Sequence, residues 1–494
     1  RRLNQPELAG KELTAFEQRK HQDVMNNIAG TTANKANQAL VTGDPKAAIA
    51  GYQEALKLEP GNAKTWYNLA LAQLKVRDSA GAVASLEKST SLDAGFAPAR
   101  SQLGLLYLEQ GRAADAERQF TTALVSDPQC AECQNNLGVL YGQRGDTAGA
   151  ERLFRQAIEN SPEYAQARVN LALIVAARGD FAAARKELDA AVAAEPQNIK
   201  ALTALGMVEA RSGDAAALET FRKVAALDPA SAEAHLNLGI ALADKQQSEA
   251  ALAEFSEAVK LAGNVAATHY NKGRMLVELH RYDEALGELQ TACRMDPSGA
   301  DAFYRLGIAE RELSRYGDAA ATLRRAVELD PHNAEAWFLL GQSEQSLGRN
   351  TEAVKAWKQA LAVEPEHKQA LYSLMRASSK SDPAEAARYR ARIEQLQTQG
   401  GLTERARTLS NFALAAAQAG KWDQAIAQLR EAIQVCGACS ALATLRKNLA
   451  LTECQAGRLE DGERDLRAAQ RDAPGDPDIE KALQVLAGLK ARAR

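Results

Sequence analysis

Apolar, small and polar positions return along this chain in a pattern longer than any single helix or strand. Residues 97–130 show it most cleanly, with Leu103, Gly104, Tyr107, Gly111, Ala116, Phe120, Ala123 and Pro128. A small residue recurs eight positions into each unit: Ala70, Gly104, Gly138, Ala172, Gly206, Gly239, Gly273, Gly307 and Gly341. Twelve residues on stands an alanine (Ala82, Ala116, Ala150, Ala184, Ala217, Ala251, Ala285, Ala319, Ala353), with one gap of eleven. Four further on stands a bulky group: Leu86, Phe120, Phe154, Leu188, Phe221, Phe255, Leu289, Leu323 or Trp357. Spacings of three and four place such residues on one helical face, and small residues recur where helices cross closely, because a larger side chain would overpack the crossing. Each unit therefore predicts two antiparallel helices. Between them lies a turn carrying Gly or Asp, as in Arg144-Gly145-Asp146, where glycine supplies the left-handed residue that ends a helix. Proline closes the second helix, since it lacks an N–H and disfavours helical geometry in the residue before it.

The closing position sets the period. Pro60, Ala94, Pro128, Pro162, Pro196, Pro229, Gly263, Pro297, Pro331 and Pro365 lie 34 residues apart, with one gap of 33. A fixed period of that length in a helical sequence means one unit copied and stacked, each copy burying its apolar face against its neighbours. The pattern resembles the tetratricopeptide repeat family in spacing, small residues, aromatic and proline alike. The resemblance covers nearly the whole chain and implies an all-α solenoid of about 12–13 helix-turn-helix repeats wound as a right-handed superhelix.

The register divides the chain into five parts. Residues 1–26 read as a half-repeat or capping helix, and 27–365 as ten regular units. Residues 366–404 form a degenerate repeat and candidate hinge, marked by Ser378-Ser379-Lys380-Ser381-Asp382-Pro383 and Gln397-Thr398-Gln399-Gly400-Gly401. Two further units occupy 405–476, and 477–494 read as a capping or half-repeat helix. Both ends look incomplete. Leu8, Leu13 and Phe16 at one end and Ile479, Leu483 and Leu486 at the other are either capping faces or two halves of a head-to-tail contact between chains, continuing into a filament. The chain opens on Arg1 instead of Met, so further upstream sequence is expected, and an accessory array within a larger protein is a third reading.

Six residues into the unit, Asn68, Asn136, Asn170, Asn237, Asn271, Asn411 and Asn448 recur, with Gln102 in the same place. A side-chain amide offers donors and an acceptor, which suits pairing with the backbone of an extended peptide regardless of its sequence. The row resembles the asparagine ladder with which superhelical members of the family hold peptides, and it is interrupted at Ala204, Arg305, Leu339 and Ser373. No paired Lys and Arg clamp for a peptide C terminus is evident, although Arg168 and Arg305 bring charge to this face.

Composition narrows the partners. Acidic residues exceed basic ones by 63 − 60 = 3 and no long basic block appears, which argues against nucleic acid. No run approaches the roughly 18 apolar residues of a membrane span, so no membrane insertion is expected. Two CxxC pairs, Cys130/Cys133 and Cys436/Cys439, stand at unit junctions as candidate local disulfides, with Cys293 and Cys454 alone. They point toward an oxidising, extracytoplasmic setting and leave the compartment open. Neither pair is followed by His, and no metal site or cofactor is expected. His235 and His269 occupy the place of Trp66 and Trp337 and are expected to pack between helices. With no nucleophile motif, phosphate loop or paired carboxylates, the sequence reads as a non-catalytic scaffold for a protein or peptide.

Overall fold

The computed structural model describes residues 5–493, with side chains from 11 to 490. Among the described residues the chain forms 26 α-helices and no strand, the all-α solenoid that the periodicity predicts. It divides into two compact units, Arg1–Gly263 and Asn264–Arg494. In the first, seven helix pairs follow one another, from Gln5–Val41 with Pro45–Leu58 to Ala232–Asp244 with Ser248–Leu261. The second begins with three such pairs over residues 266–363, passes through a longer element, and ends on Pro477–Ala493.

Each pair is held by one crossing. A Cβ built on Gly104, Gly138, Gly206 or Gly239 would lie 2.5–2.7 Å from Phe120, Phe154, Phe221 or Phe255 respectively. The absence of a side chain on one helix thus makes the seat for an aromatic ring on the other. Where the small residue is alanine the bulky partner is leucine, Ala70 with Leu86 and Ala172 with Leu188, all fully buried. The turn inside each pair needs one left-handed residue. Gly111, Gly145, Gly179, Gly213 and Gly348 supply it, whereas Arg77, Gln246, His280 and Ser314 adopt it with φ of 58–62°, at a cost of about 1–2 kcal/mol each.

Two expected boundaries are absent. Gln5–Val41 is a single helix of 37 residues, so the half-repeat assigned to 1–26 has no break separating it from the first unit. Pro383–Gln418 is likewise one helix of 36 residues, running through Gln397-Thr398-Gln399-Gly400-Gly401. The hinge expected over 366–404 is thus helical apart from Asp382, whose side chain caps the Glu385 N–H at 2.9 Å, and residues near 366–367. The reason is local. No proline follows Pro383 in that helix, Gly400 and Gly401 keep helical backbone, and a glycine inside a helix costs only about 1 kcal/mol. The compact division falls after Gly263 instead.

Candidate functional site

The first helices of neighbouring pairs touch along an inner face, and their side chains meet at a separation of 31 residues. Asn68 Nδ2 donates to Asn37 Oδ1 at 3.1 Å, Ser101 Oγ to Glu132 Oε1 at 2.9 Å, and Arg311 Nη1 to Gln342 Oε1 at 3.1 Å. The asparagine row lies on this face, but much of its hydrogen bonding is spent between helices. Asn136 donates to Ser101 Oγ at 3.1 Å and Asn170 to Asn135 Oδ1 at 2.8 Å. Gln102 reaches Glu132 at 3.4 Å, Asn271 bonds the Ala267 carbonyl of its own helix at 2.9 Å, and Asn448 reaches Ser410 at 3.5 Å. Asn411 is exposed, and Asn237 Nδ2 is buried without a hydrogen-bond partner. Amides already engaged with neighbouring helices are less free to hold a peptide backbone.

Three residues past the asparagine position runs a second row that the sequence reading missed. In the first unit it is apolar in six consecutive repeats: Leu71, Leu105, Val139, Leu173, Met207 and Ile240. Leu173, Met207 and Ile240 are 48 %, 39 % and 36 % exposed. Leu173 and Met207 line a cavity of about 390 Å³ with Val169, Asn170, Thr203 and Ala204. Reading positions three beyond each asparagine would have found the row. Taken one helix at a time, its members are unremarkable core-sized residues.

A third row closes the turn between successive pairs. Trp66, Arg100, Gln134, Arg168, His235 and Trp337 each hydrogen-bond the carbonyl six residues back, at Pro60, Ala94, Pro128, Pro162, Pro229 and Pro331, over 2.6–3.2 Å. His235 thus takes the place of the tryptophans. His235 Nδ1 meets Glu254 at 2.6 Å while Nε2 meets the Pro229 carbonyl. Both partners only accept, so the arrangement suits an imidazolium. Burial pulls His235 down, and the bonds to Glu254 and Pro229 outweigh it and raise its pKa above the usual value. His269 Nδ1 pairs with Glu288 at 2.6 Å.

The ends are unequal. Leu8 lies outside the residues whose side chains are described, and Leu13 and Phe16 are 59 % and 62 % exposed. Ile479 and Leu486, expected as the matching face, are 1 % and 3 % exposed. They pack with Ala450, Leu466 and Ala469 of the preceding pair, and Leu483 is partly buried beside them. Those two side chains are covered by the chain itself, while Val485 and Leu489 of the same helix stay 57 % and 46 % exposed. The small-residue position of a pair is occupied there by the exposed Gln484.

Cys130 is disulfide-bonded to Cys133 and Cys436 to Cys439. Each bridge joins a turn to the helix beside it, and Cys130 Sγ accepts from the Cys133 N–H at 3.2 Å. Cys293 is buried, and desolvation, with Glu310 and Asp296 nearby, pushes its thiol up to about 12. Among the described residues no group of three or more His, Cys, Asp or Glu is arranged to hold a metal ion, and no helix is long and apolar enough to cross a membrane.

Stacked helix pairs with one repeated crossing define a helical-repeat protein. Models of the tetratricopeptide repeat match residues 101–162, 135–199, 203–266, 270–334, 304–354 and 338–395, with two further repeat models at 52–84 and 405–438. The chain belongs to the tetratricopeptide repeat family. No curated protein matches it. Among solved structures, MamA is 26 % identical, covering 33 % of this chain and 95 % of its own, with a TM-score of 0.31. A tetratricopeptide repeat protein from Parabacteroides merdae is 19 % identical over 50 % of this chain and 98 % of that one, with a TM-score of 0.39. Pseudomonas aeruginosa pilF is 22 % identical over 41 % and 92 %, with a TM-score of 0.38. Proteins of this family bind proteins or peptides and are typically non-catalytic; the chain is a protein-interaction scaffold in that general sense.

Proposed function

We propose that the inner face of the first unit holds a segment of a protein partner, and that the apolar row supplies the grip. One observation carries this reading: Leu173, Met207 and Ile240 stay more than a third exposed in consecutive repeats, beside a lined cavity. Burying a leucine-sized side chain is worth about 1.5–3 kcal/mol, so three half-exposed residues in a line supply a useful affinity. The asparagine row, partly committed to neighbouring helices, frames that groove and orients the segment.

The test is a peptide display selection on the intact protein, counter-screened on Leu173→Glu/Met207→Glu. Selected peptides with regularly spaced apolar residues should bind the parent protein and lose at least tenfold in affinity for the variant. Peptides that bind both proteins equally remove the groove from the account.

A second reading is self-association through the opening helix, favoured by the exposure of Leu13, Phe16, Val24 and Ile28 on one side of it. Sedimentation of Leu13→Asp/Phe16→Asp beside the parent protein decides it. A parent assembly that persists in the variant, or a parent that is monomeric throughout, rules this contact out.

A further inference from the structure

Both cysteine pairs are bridged, but the junctions that hold them differ. After Pro128 the ordinary turn is complete. The Cys130 N–H donates to the Asp127 carbonyl at 3.2 Å, Gln134 bonds the Pro128 carbonyl at 2.9 Å, and Cys130 caps the helix that begins at Ala131. The Cys130–Cys133 bridge is added to a turn that closes without it.

The junction between Trp422–Cys436 and Leu442–Gln455 lacks those parts. No proline lies between Pro383 and Pro474. Arg446 stands two residues before Asn448, as Trp66 stands before Asn68, yet it pairs with Asp472 at 2.7 Å instead of closing the turn. Ala441 precedes the second helix and makes no side-chain cap, so the first N–H groups of that helix gain no acceptor from it. What holds the turn beyond its own backbone is the Cys436–Cys439 bridge, packed with Ala406, Ala432 and Leu445. The other ties between the two helices, Leu449 with Ile426 and Leu429 and Arg430 with Glu453 at 2.8 Å, lie about two turns or more away along each helix.

The two sulfurs are placed unequally. Cys439 lines an open polar cavity of about 710 Å³ with Lys368, Thr403, Glu404, Arg407 and Ser440, whereas Cys436, 2 % exposed, is the deeper of the two. From this we infer that the Cys436–Cys439 disulfide is a redox clip: a thiol reductant entering that cavity opens it at Cys439 and releases the junction, while the same reduction leaves the Cys130 junction closed. The thiolate attacks the Cys439 sulfur, the S–S bond breaks, and its electron pair leaves on Cys436, which takes up a proton. A second thiolate then frees Cys439 from the mixed disulfide. Two thiols are oxidised to one disulfide and the bridge is reduced to two cysteine thiols. The helix released at its start carries the exposed Leu451 on its inner face, so the redox state sets how firmly that face is held.

The test is amide hydrogen exchange of the full chain with and without dithiothreitol, the opening of each bridge being verified by alkylation and peptide mass. Reduction should speed exchange over residues 433–449 by about tenfold or more, as local opening does, and change residues 128–140 by less than about twofold. Equal responses at the two junctions, or no response over 433–449 once that bridge is open, would overturn the clip. So would a Cys436–Cys439 bridge that stays closed where Cys130–Cys133 opens. Cys436→Ser/Cys439→Ser should exchange fast over 433–449 without reductant and ignore its addition, whereas Cys130→Ser/Cys133→Ser should keep the parent's response; should the first variant fail to fold, reduction of the parent still decides. The route of entry is read from the single variants by peptide-mapped maleimide labelling. Cys439, left alone in Cys436→Ser, should react about tenfold or more faster than Cys436 left alone in Cys439→Ser, and equal rates would overturn attack at Cys439.

Discussion

Replacing Gly138 by alanine adds one methyl group where the fold leaves no room. The new Cβ would lie 2.7, 3.0 and 3.2 Å from three carbons of the Phe154 ring. Phe154 is 3 % exposed, so the ring cannot swing into solvent, and the Thr147–Asn160 helix must move outward. Overpacking of this kind costs about 1–3 kcal/mol, against up to about 1 kcal/mol regained from helix propensity. The net expectation is a loss of up to about 2 kcal/mol. Phe154→Leu alone leaves a cavity and should cost about 1–2 kcal/mol. Together the substitutions reproduce the arrangement of Ala172 with Leu188, where both residues are fully buried. The double variant should therefore be more stable than the sum of the single changes by about 1 kcal/mol or more, within the range seen for residues in contact. A repeat array does not unfold as one unit, so the readout is amide hydrogen exchange of residues 131–160. Strict additivity would refute the claim that aromatic with glycine and leucine with alanine are two solutions to one crossing.

Two further predictions concern titration. The folded pKa of His235 is raised above its usual value of 6.5, so its contribution to stability is present below that value and lost as pH rises through the folded one. Protection of residues 229–261 should fall over that interval in the parent protein and stay level in His235→Gln, since Gln134 makes the same turn-closing bond to Pro128 at 2.9 Å. Glu310 is buried, with Oε2 unpartnered. Arg324 faces Glu344 at 2.5 Å and Arg430 faces Glu453 at 2.8 Å, whereas Gln290 holds the corresponding position opposite Glu310. Burial raises the Glu310 pKa above 4.5, so stability is lost as pH climbs through the folded value. Glu310→Gln should melt higher than the parent at pH 8, with the gap closing at acid pH; a variant that melts lower throughout contradicts this.

The solenoid was legible because its signal is redundant. Gly104, Ala116, Phe120 and Pro128 each mark the unit, and many copies agree. Helix ends were less legible where one rule was read alone. Gly400-Gly401 resembles a stop, but no residue there takes the left-handed backbone that ends a helix. The inner face was half legible. The asparagine row shows in the sequence, yet its bonds to Asn37, Ser101 and Asn135 depend on the register between neighbouring helices. The same register brings Ser101 to Glu132 and Arg311 to Gln342, and no local pattern announces a contact 31 residues away. Burial of Ile479 and Leu486 was hidden for a similar reason, since an apolar stripe does not say whether its own chain or another covers it.

The central claim is that partners lie along the inner face of the first unit. A photoreactive phenylalanine analogue at Leu173, and separately at the exposed Lys186 on the second helix of the same pair, tests it directly with a peptide selected on the intact protein. The account predicts strong crosslinking from position 173 and little from 186. Equal crosslinking at both positions, or a preference for 186, would contradict it.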